Sequence, residues 1–132
     1  MSAKTFVDTN VLLYLLSDDP GKASTVERLL KQQPTISVQV LNEVVSVATR
    51  KLRMPLPEVL ELCHAVRRIC TVESITPDHH DLALSLMLRY HFSIYDSLIV
   101  ASALIAGCRK LYTEDLQHGQ VIMKQLKVKN PF

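Results

Sequence analysis

The chain is short of the residues that most often announce chemistry. Its three cysteines, Cys63, Cys70 and Cys108, are odd in number, include no C-x-x-C pair and lie near no suitably spaced histidine pair, so neither disulfides nor zinc is expected. Spaced seven apart in a helical pattern, Cys63 and Cys70 read as small hydrophobes on one face. The three glycines, Gly21, Gly107 and Gly119, are too scattered for a phosphate-cradling loop or a nucleophile elbow, and no Ser-His-Asp order is found. A bilayer crossing needs roughly 18 to 20 apolar residues. The longest candidate, Leu98 to Ala106, already contains Ser102, so a buried helix is expected there. The opening MSAKTF runs into a strand-like segment with no basic region, long apolar stretch or cleavage site, which predicts a cytoplasmic protein without membrane contact.

What remains is an ordinary globular composition, 48% hydrophobic and 21% charged over 132 residues. A chain of this length buries roughly two thirds of the surface it exposes when unfolded, and one core in one domain, 1–132, is expected. A formal charge of +2 is too small to demand a nucleic-acid partner. The basic residues nevertheless bunch: Arg50, Lys51 and Arg53, then Arg67 and Arg68, then Lys124, Lys127 and Lys129. Each group alone suits a helix C-terminus or a solvated face, and together they permit a phosphate-binding surface.

Apolar periodicity switches repeatedly along the chain. Short β-branched or apolar runs at Lys4–Val7, Thr35–Val38, Thr71–Ile75 and Lys110–Thr113 predict strands, with a further edge strand around Gln125–Val128. Between them, helical spacing covers Lys22–Gln33, Gln39–Leu52, Leu60–Cys70, Pro77–Tyr90 and Ser93–Ala106, the last closed by Gly107 as a left-handed cap. Ser17-Asp18-Asp19-Pro20-Gly21 reads as a turn. Strands alternating with helices imply an α/β fold with a mainly parallel sheet covered on both faces.

Parallel sheets of this kind bind ligands at the carboxyl ends of their strands. Asp8 follows the first predicted strand directly, in FVDTNVLLYLL, and Asp115 follows Lys110–Thr113. Two further acids stand in apolar helices, Glu43 in VQVLNEVVSVA and Asp96 in SIYDSLIVASALIAG. Each has a plainer explanation. Asp8 suits a helix N-cap, Asp96 stands three residues after Ser93 as in a capping box, Glu43 could face solvent, and Asp115 could occupy a turn. Jointly, four carboxylates at one sheet edge would repel one another and raise their pKa values unless a cation held them. With oxygen donors alone, that cation is Mg²⁺ or Mn²⁺, whose chemistry suits phosphodiester hydrolysis. The histidines offer less: His79 and His80 follow Pro77-Asp78 at a predicted helix start, where exposure is expected, and His64 and His91 read as surface or partly buried positions.

DTNVLLYLL at Asp8, NEV at Glu43, YDSLIVASAL at Asp96, TEDLQHG around Asp115 and the final KNPF together resemble the PIN domain, especially the VapC-type toxins of bacterial toxin–antitoxin pairs. The resemblance spans the chain in order. It implies an α/β/α sandwich that binds Mg²⁺ or Mn²⁺ in an acidic pocket and cleaves RNA as an endoribonuclease. Asp8, Asp96 and Asp115 would then centre the metal, Glu43 would complete the pocket directly or through water, and Asn10 and Thr113 would orient the acids. Arg50, Lys51 and Arg53 are candidate RNA contacts. Where many relatives carry a further acid this chain has His118, which implies one firmly held ion with a second arriving with substrate. The resemblance also implies a homodimer and a small antitoxin filling the acidic groove, with Leu12–Leu16 and Val26–Leu30 as candidate partner surface. Two rival readings stand beside it. An aspartyl-phosphate phosphatase would need an acid where Asn10 stands, and a non-catalytic PIN-fold module would bind RNA or a partner without cutting.

Overall fold

The computed structural model describes residues 4–132. The cytoplasmic expectation drawn from MSAKTF rests in part on residues 1–3, outside the described residues. The first strand, β1 (Thr5–Val7), is buried along its length and passes without a loop into α1 (Thr9–Leu12), because Asp8 serves as the helix N-cap. A 3-10 turn, Leu13–Leu16, follows. Helix α2 (Pro20–Leu30) starts earlier than predicted: Asp19 accepts a hydrogen bond from Lys22 N at 3.1 Å, and Pro20 occupies the first turn, where its missing N–H costs nothing.

Strand β2 (Thr35–Ser37) likewise runs directly into α3 (Val38–Arg50), with Ser37 as the cap. Helix α4 (Leu56–Ile69) leads to β3 (Thr71–Glu73), and then α5 (Pro77–Tyr90) and α6 (Ile94–Ile105) precede β4 (Lys110–Tyr112), β5 (Val121–Ile122) and β6 (Leu126–Lys129). Gly107, at φ +77, ends α6 as expected: Cys108 N donates to Ala103 O and Gly107 N to Leu104 O, the pair of bonds that satisfies the last carbonyls of a helix.

The six strands lie in the order β3-β2-β1-β4-β6-β5, parallel throughout except for the final β5/β6 pair. From β1 the chain steps outward to β2 and β3, then crosses back to β4 on the other side of β1. Helix α3 packs against both α1 and α4, and α5 against α6, the division into two layers that right-handed crossovers between these parallel strands produce. The core lies between these layers, with Phe6, Val7, Ile36, Val100, Leu111 and Val128 all fully buried. Connections leave β1 and β4 in opposite directions, so a crevice opens between their carboxyl ends.

Four expectations change. The strand around Gln125–Val128 is not an edge, since β5 pairs outside it; the turn Ile122–Gln125 holds Met123 and Lys124 at positive φ without any glycine or asparagine to signal it. His79 is buried rather than exposed, because it stands three residues after Thr76 and its Nδ1 accepts a hydrogen bond from Thr76 N at 3.1 Å, closing the cap of α5. Val26, Leu29 and Leu30 are buried in the core, which removes them as partner surface. Leu12 is buried too, while Leu13–Leu16 are half-buried. Among the described residues no helix is long and apolar enough to cross a membrane.

Candidate active site

The register of β1 against β4 builds the centre of the site. Val7 pairs with Tyr112, which sets Asp8 beside Thr113 at the end of the two strands; Asp8 N donates to Tyr112 O at 3.0 Å, and Thr113 Oγ1 donates to Asp8 Oδ2 at 2.8 Å. Three other groups complete this junction. Thr9 N donates to Asp8 Oδ1 at 2.7 Å, Asn10 Nδ2 to Asp8 Oδ2 at 3.3 Å, and Asp115 N to Thr113 Oγ1 at 3.1 Å. Asn10 Oδ1 also accepts from Glu114 N at 3.2 Å, tying the loop that carries Asp115 to α1. Thr113 and Asn10 therefore hold both the acid of β1 and the loop after β4.

Glu43 reaches the same place from α3. Its Oε2 accepts from Thr9 Oγ1 at 2.7 Å, and its Oε1 accepts from Gln39 Nε2 at 2.8 Å. Gln39 was not singled out from the sequence, although its place one helical turn before Glu43 is the spacing at which helix side chains meet. Gln39 Nε2 also donates to the Tyr95 carbonyl at 3.3 Å, which joins α3 to the first turn of α6, where Ser93 Oγ caps Asp96 N at 3.1 Å. A cleft of about 270 Å³ opens here, lined by Asp8, Thr9, Asn10, Glu43 and Asp115 together with Leu13, Ser46 and Val47. A larger cleft of about 580 Å³ beside α4 is lined by Glu58, Glu61 and Arg68, charges of both signs that do not converge on one chemistry.

The electrostatics follow from burial. Asp8 is 4% exposed, and desolvation pushes its carboxyl from 3.8 up to about 7; the bonds from Thr113 and Thr9 oppose that shift, while the charges of Asp115 and Glu43 add to it. Asp96, half-buried, is raised as well, by desolvation first and then by Asp115 and Glu43. The upward direction is the one that neighbouring acids imply, but loss of water contributes more than mutual repulsion; Asp96, unlike Asp8, Glu43 and Asp115, is not among the residues lining the cleft. The acid environment is thus shared: Asp115 and Glu43 are felt at both Asp8 and Asp96.

A family model of the PIN domain matches residues 5–121. The chain belongs to the PIN-domain family. Solved structures agree on the fold of this PIN domain. A toxin–antitoxin complex from Klebsiella pneumoniae matches with a TM-score of 0.75 and 20% identity over 98% of each chain. VapC20 of Mycobacterium tuberculosis, a sarcin-ricin loop cleaving toxin, matches at 0.67 with 22% identity over 85% of this chain and 90% of that one. FitAcB from Neisseria gonorrhoeae matches at 0.71 with 16% identity over 96% and 97%. No curated protein matches the chain.

Within this PIN domain the remaining candidates are placed as follows. Arg50 is exposed on the same stripe of α3 as Glu43, Ser46 and Val47, two turns beyond Glu43 or about 10 Å along the axis. Lys51 and Arg53, also exposed, lie just past the helix end. His118 points its chemistry elsewhere, its Nδ1 accepting from Asn130 N at 3.0 Å, so it ties the Asp115 loop to the C-terminal segment.

Whether a hard divalent ion suits this cleft turns on the donors. Its polar lining consists of carboxylates, an amide and hydroxyls, with no nitrogen ring or thiol among the residues lining it. Among the described residues no three His, Cys, Asp or Glu side chains are grouped closely enough to hold a metal ion by themselves. Mg²⁺ does not require three, because it commonly takes one or two carboxylates and keeps several waters. A buried carboxyl raised to about 7 by burial and neighbouring acids is an oxygen donor that a cation would relieve, and on that chemistry the cleft fits the ion.

Proposed function

We propose that the protein is a metal-dependent endoribonuclease acting as the toxin of a toxin–antitoxin pair. The observation that carries this reading is Asp8: a buried acid, fixed by three donors and raised to about 7, at the meeting point of Asp115 and Glu43. Membership of the PIN family and likeness to a loop-cleaving toxin support it.

In this reading Asp8, Asp96 and Asp115 hold Mg²⁺ or Mn²⁺, and Glu43 completes the pocket. A bound divalent ion supplies polarisation of a phosphoryl oxygen and a more acidic attacking water. The chain's own part is orientation. Thr9 and Gln39 fix both oxygens of Glu43, Thr113 holds Asp8 and the start of the Asp115 loop, and Ser93 sets the helical turn from which Asp96 projects. Arg50, Lys51 and Arg53 contribute phosphate contacts outside the cleft.

An antitoxin with an Arg or Lys on its docking segment complements the acids, since desolvated Arg–carboxylate pairs are strong, and the toxin–antitoxin complex of similar fold supports such a partner. A homodimer belongs to the same reading; Leu88, 82% exposed on α5, is a side chain such a contact would cover, and sedimentation of the isolated protein measures it.

The deciding experiment is cleavage of defined RNAs by antitoxin-free protein with Mg²⁺, with Mn²⁺ and with chelator, comparing wild type with Asp96→Asn. Cutting that requires metal and disappears in the folded variant is the expected result. If neither protein cuts while both fold and bind RNA equally, the chain is a binding module and the acids lose their catalytic assignment.

A further inference from the structure

Aromatic side chains are scarce in this chain, four tyrosines and three phenylalanines with no tryptophan, and most of them are engaged in packing. Phe6 is fully buried, Tyr112 packs against the core, Tyr90 stacks on Phe92 with ring centres 5.4 Å apart, and Tyr14 meets Phe132 edge-on at 4.7 Å beneath the Lys22 ammonium. Tyr95 is different. It is 66% exposed, the most open aromatic among the described residues, and belongs to neither of these aromatic pairs.

Its backbone is nonetheless fixed. The Tyr95 carbonyl accepts from Gln39 Nε2 at 3.3 Å, and that same nitrogen donates to Glu43 Oε1 at 2.8 Å. Tyr95 therefore stands one amide group away from Glu43 and one peptide bond before Asp96, at the first turn of α6. The fold holds the main chain firmly and leaves the ring in water.

We propose that Tyr95 forms a nucleobase subsite, its ring stacking on an unpaired base of the RNA strand whose phosphate enters the acidic cleft. The inference rests on the ribonuclease reading and names how that substrate is gripped. Asp8, Glu43, Asp96 and Asp115 repel a polyanion, so affinity for the strand has to come from contacts beside the cleft rather than in it. A tyrosine ring is well suited to such a contact, because it orders only two side-chain torsions on binding and every base offers it a π-face. Sequence-specific and single-strand recognition of RNA commonly uses bases splayed onto such rings. The bonded backbone keeps the root of the side chain beside Glu43 and Asp96, so that once stacking orders its two torsions the base would stand in fixed relation to the scissile phosphate.

The test uses a fluorescently labelled single-stranded hexaribonucleotide and copies of it carrying one abasic residue at each position in turn. Binding is measured by anisotropy in chelator, where metal-dependent cutting does not proceed. Tyr95→Ala should weaken binding of the intact strand by roughly 5- to 150-fold, whereas Tyr95→Phe should stay within about twofold of wild type, since stacking needs the ring and not the hydroxyl. One abasic strand should bind wild type as weakly as the intact strand binds Tyr95→Ala, with nothing further lost when the two changes are combined. Equal binding of the intact strand by wild type and Tyr95→Ala overturns the subsite, as does wild-type protein that binds no strand at all. Cleavage in Mg²⁺ or Mn²⁺ separates the two readings. Wild type that shows the Tyr95-dependent affinity but never cuts keeps the subsite and removes the ribonuclease, and wild type that cuts while Tyr95→Ala binds and cuts equally does the reverse.

Discussion

Replacing Asp8 by Asn is predicted to stabilise the metal-free protein increasingly as pH rises, the opposite of what loss of a hydrogen-bonded acid usually brings. In the folded chain the carboxyl keeps its proton until about pH 7, chiefly because it is buried, whereas in the unfolded chain it releases the proton near 3.8. Between those values the folded state binds more protons. The contribution of Asp8 to stability is therefore complete below about 3.8, falls through the window to about 7, and is constant above it. A shift of about three pKa units at about 1.4 kcal/mol each amounts to about 4 kcal/mol. Asn carries no charge at any pH, so the unfolding free energy of Asp8→Asn minus that of wild type should rise by about 4 kcal/mol from pH 4 to pH 8. At the acid end the variant should be the weaker protein. Thr9 N, Thr113 Oγ1 and Asn10 Nδ2 all donate to Asp8; even when protonated the carboxyl presents a hydroxyl oxygen that still accepts, whereas Asn turns an NH₂ with two hydrogens toward the same donors, a mismatch of about 1 to 3 kcal/mol. Urea unfolding followed by circular dichroism, in chelator across that pH range, measures both proteins. Adding Mg²⁺ or Mn²⁺ at pH 8 should then stabilise wild type and leave the variant unchanged, which tests the proposed binding of the ion by the native acidic cleft. A stability difference that is flat with pH, or that falls as pH rises, refutes the reasoning.

Two further outcomes follow from the same geometry. Gln39→Ala removes the bond to Glu43 Oε1 and should slow single-turnover RNA cleavage roughly tenfold, the worth of about 1.4 kcal/mol for a bond to a charged acceptor, with RNA affinity unchanged; an unaltered rate would detach Glu43 orientation from the reaction. Arg50→Ala, on the stripe of α3 that lines the cleft, should weaken binding of all RNA sequences alike and reduce the dependence of log affinity on log salt by about 0.7 to 1. An unchanged salt slope would place the strand on another path.

Asp8, Glu43 and Asp96 stand out in the sequence because each interrupts an apolar run, and polar residues seldom do so without a partner. Asp8 directly after a strand, and Asp115 just beyond the strand that pairs with it, required no more than the rule for parallel sheets. Gly107 was legible for a similar reason, since a helix that must end in a left-handed residue favours glycine. The hairpin of β5 was not: Met123 and Lys124 adopt positive φ that their identities disfavour, held there with Met123 N bonded to Tyr90 Oη at 2.9 Å and Arg89 donating to Met123 Sδ. Tertiary contacts rather than turn chemistry fix that bend. His79 was misplaced because the third position of a capping box is ordinarily Glu or Gln, and an imidazole nitrogen performs the same acceptance from Thr76 N. Gln39 carried a usable signal, four residues before Glu43, yet its second bond to the Tyr95 carbonyl joins residues 56 apart in sequence and appears only in the folded chain.

The burial that raises the pKa of Asp8 also explains why the site holds its shape. Phe6 and Val7 on one side and Val11 on the other are fully buried, so the short segment between them cannot turn its carboxylate outward to water without unseating the sheet and α1 together. Thr113, which grips Asp8, is itself fully buried at the end of β4. The charge is thus confined by the same core that stabilises the domain, and relief has to come from something brought to it: a proton below about pH 7, or a cation above it. Either relief stabilises the native state by mass action, which makes ligand affinity and folding stability two readings of one free energy. Groups that weaken the fold in isolation while pointing together into one cleft are what a functional site is expected to leave in a sequence otherwise consistent with its structure.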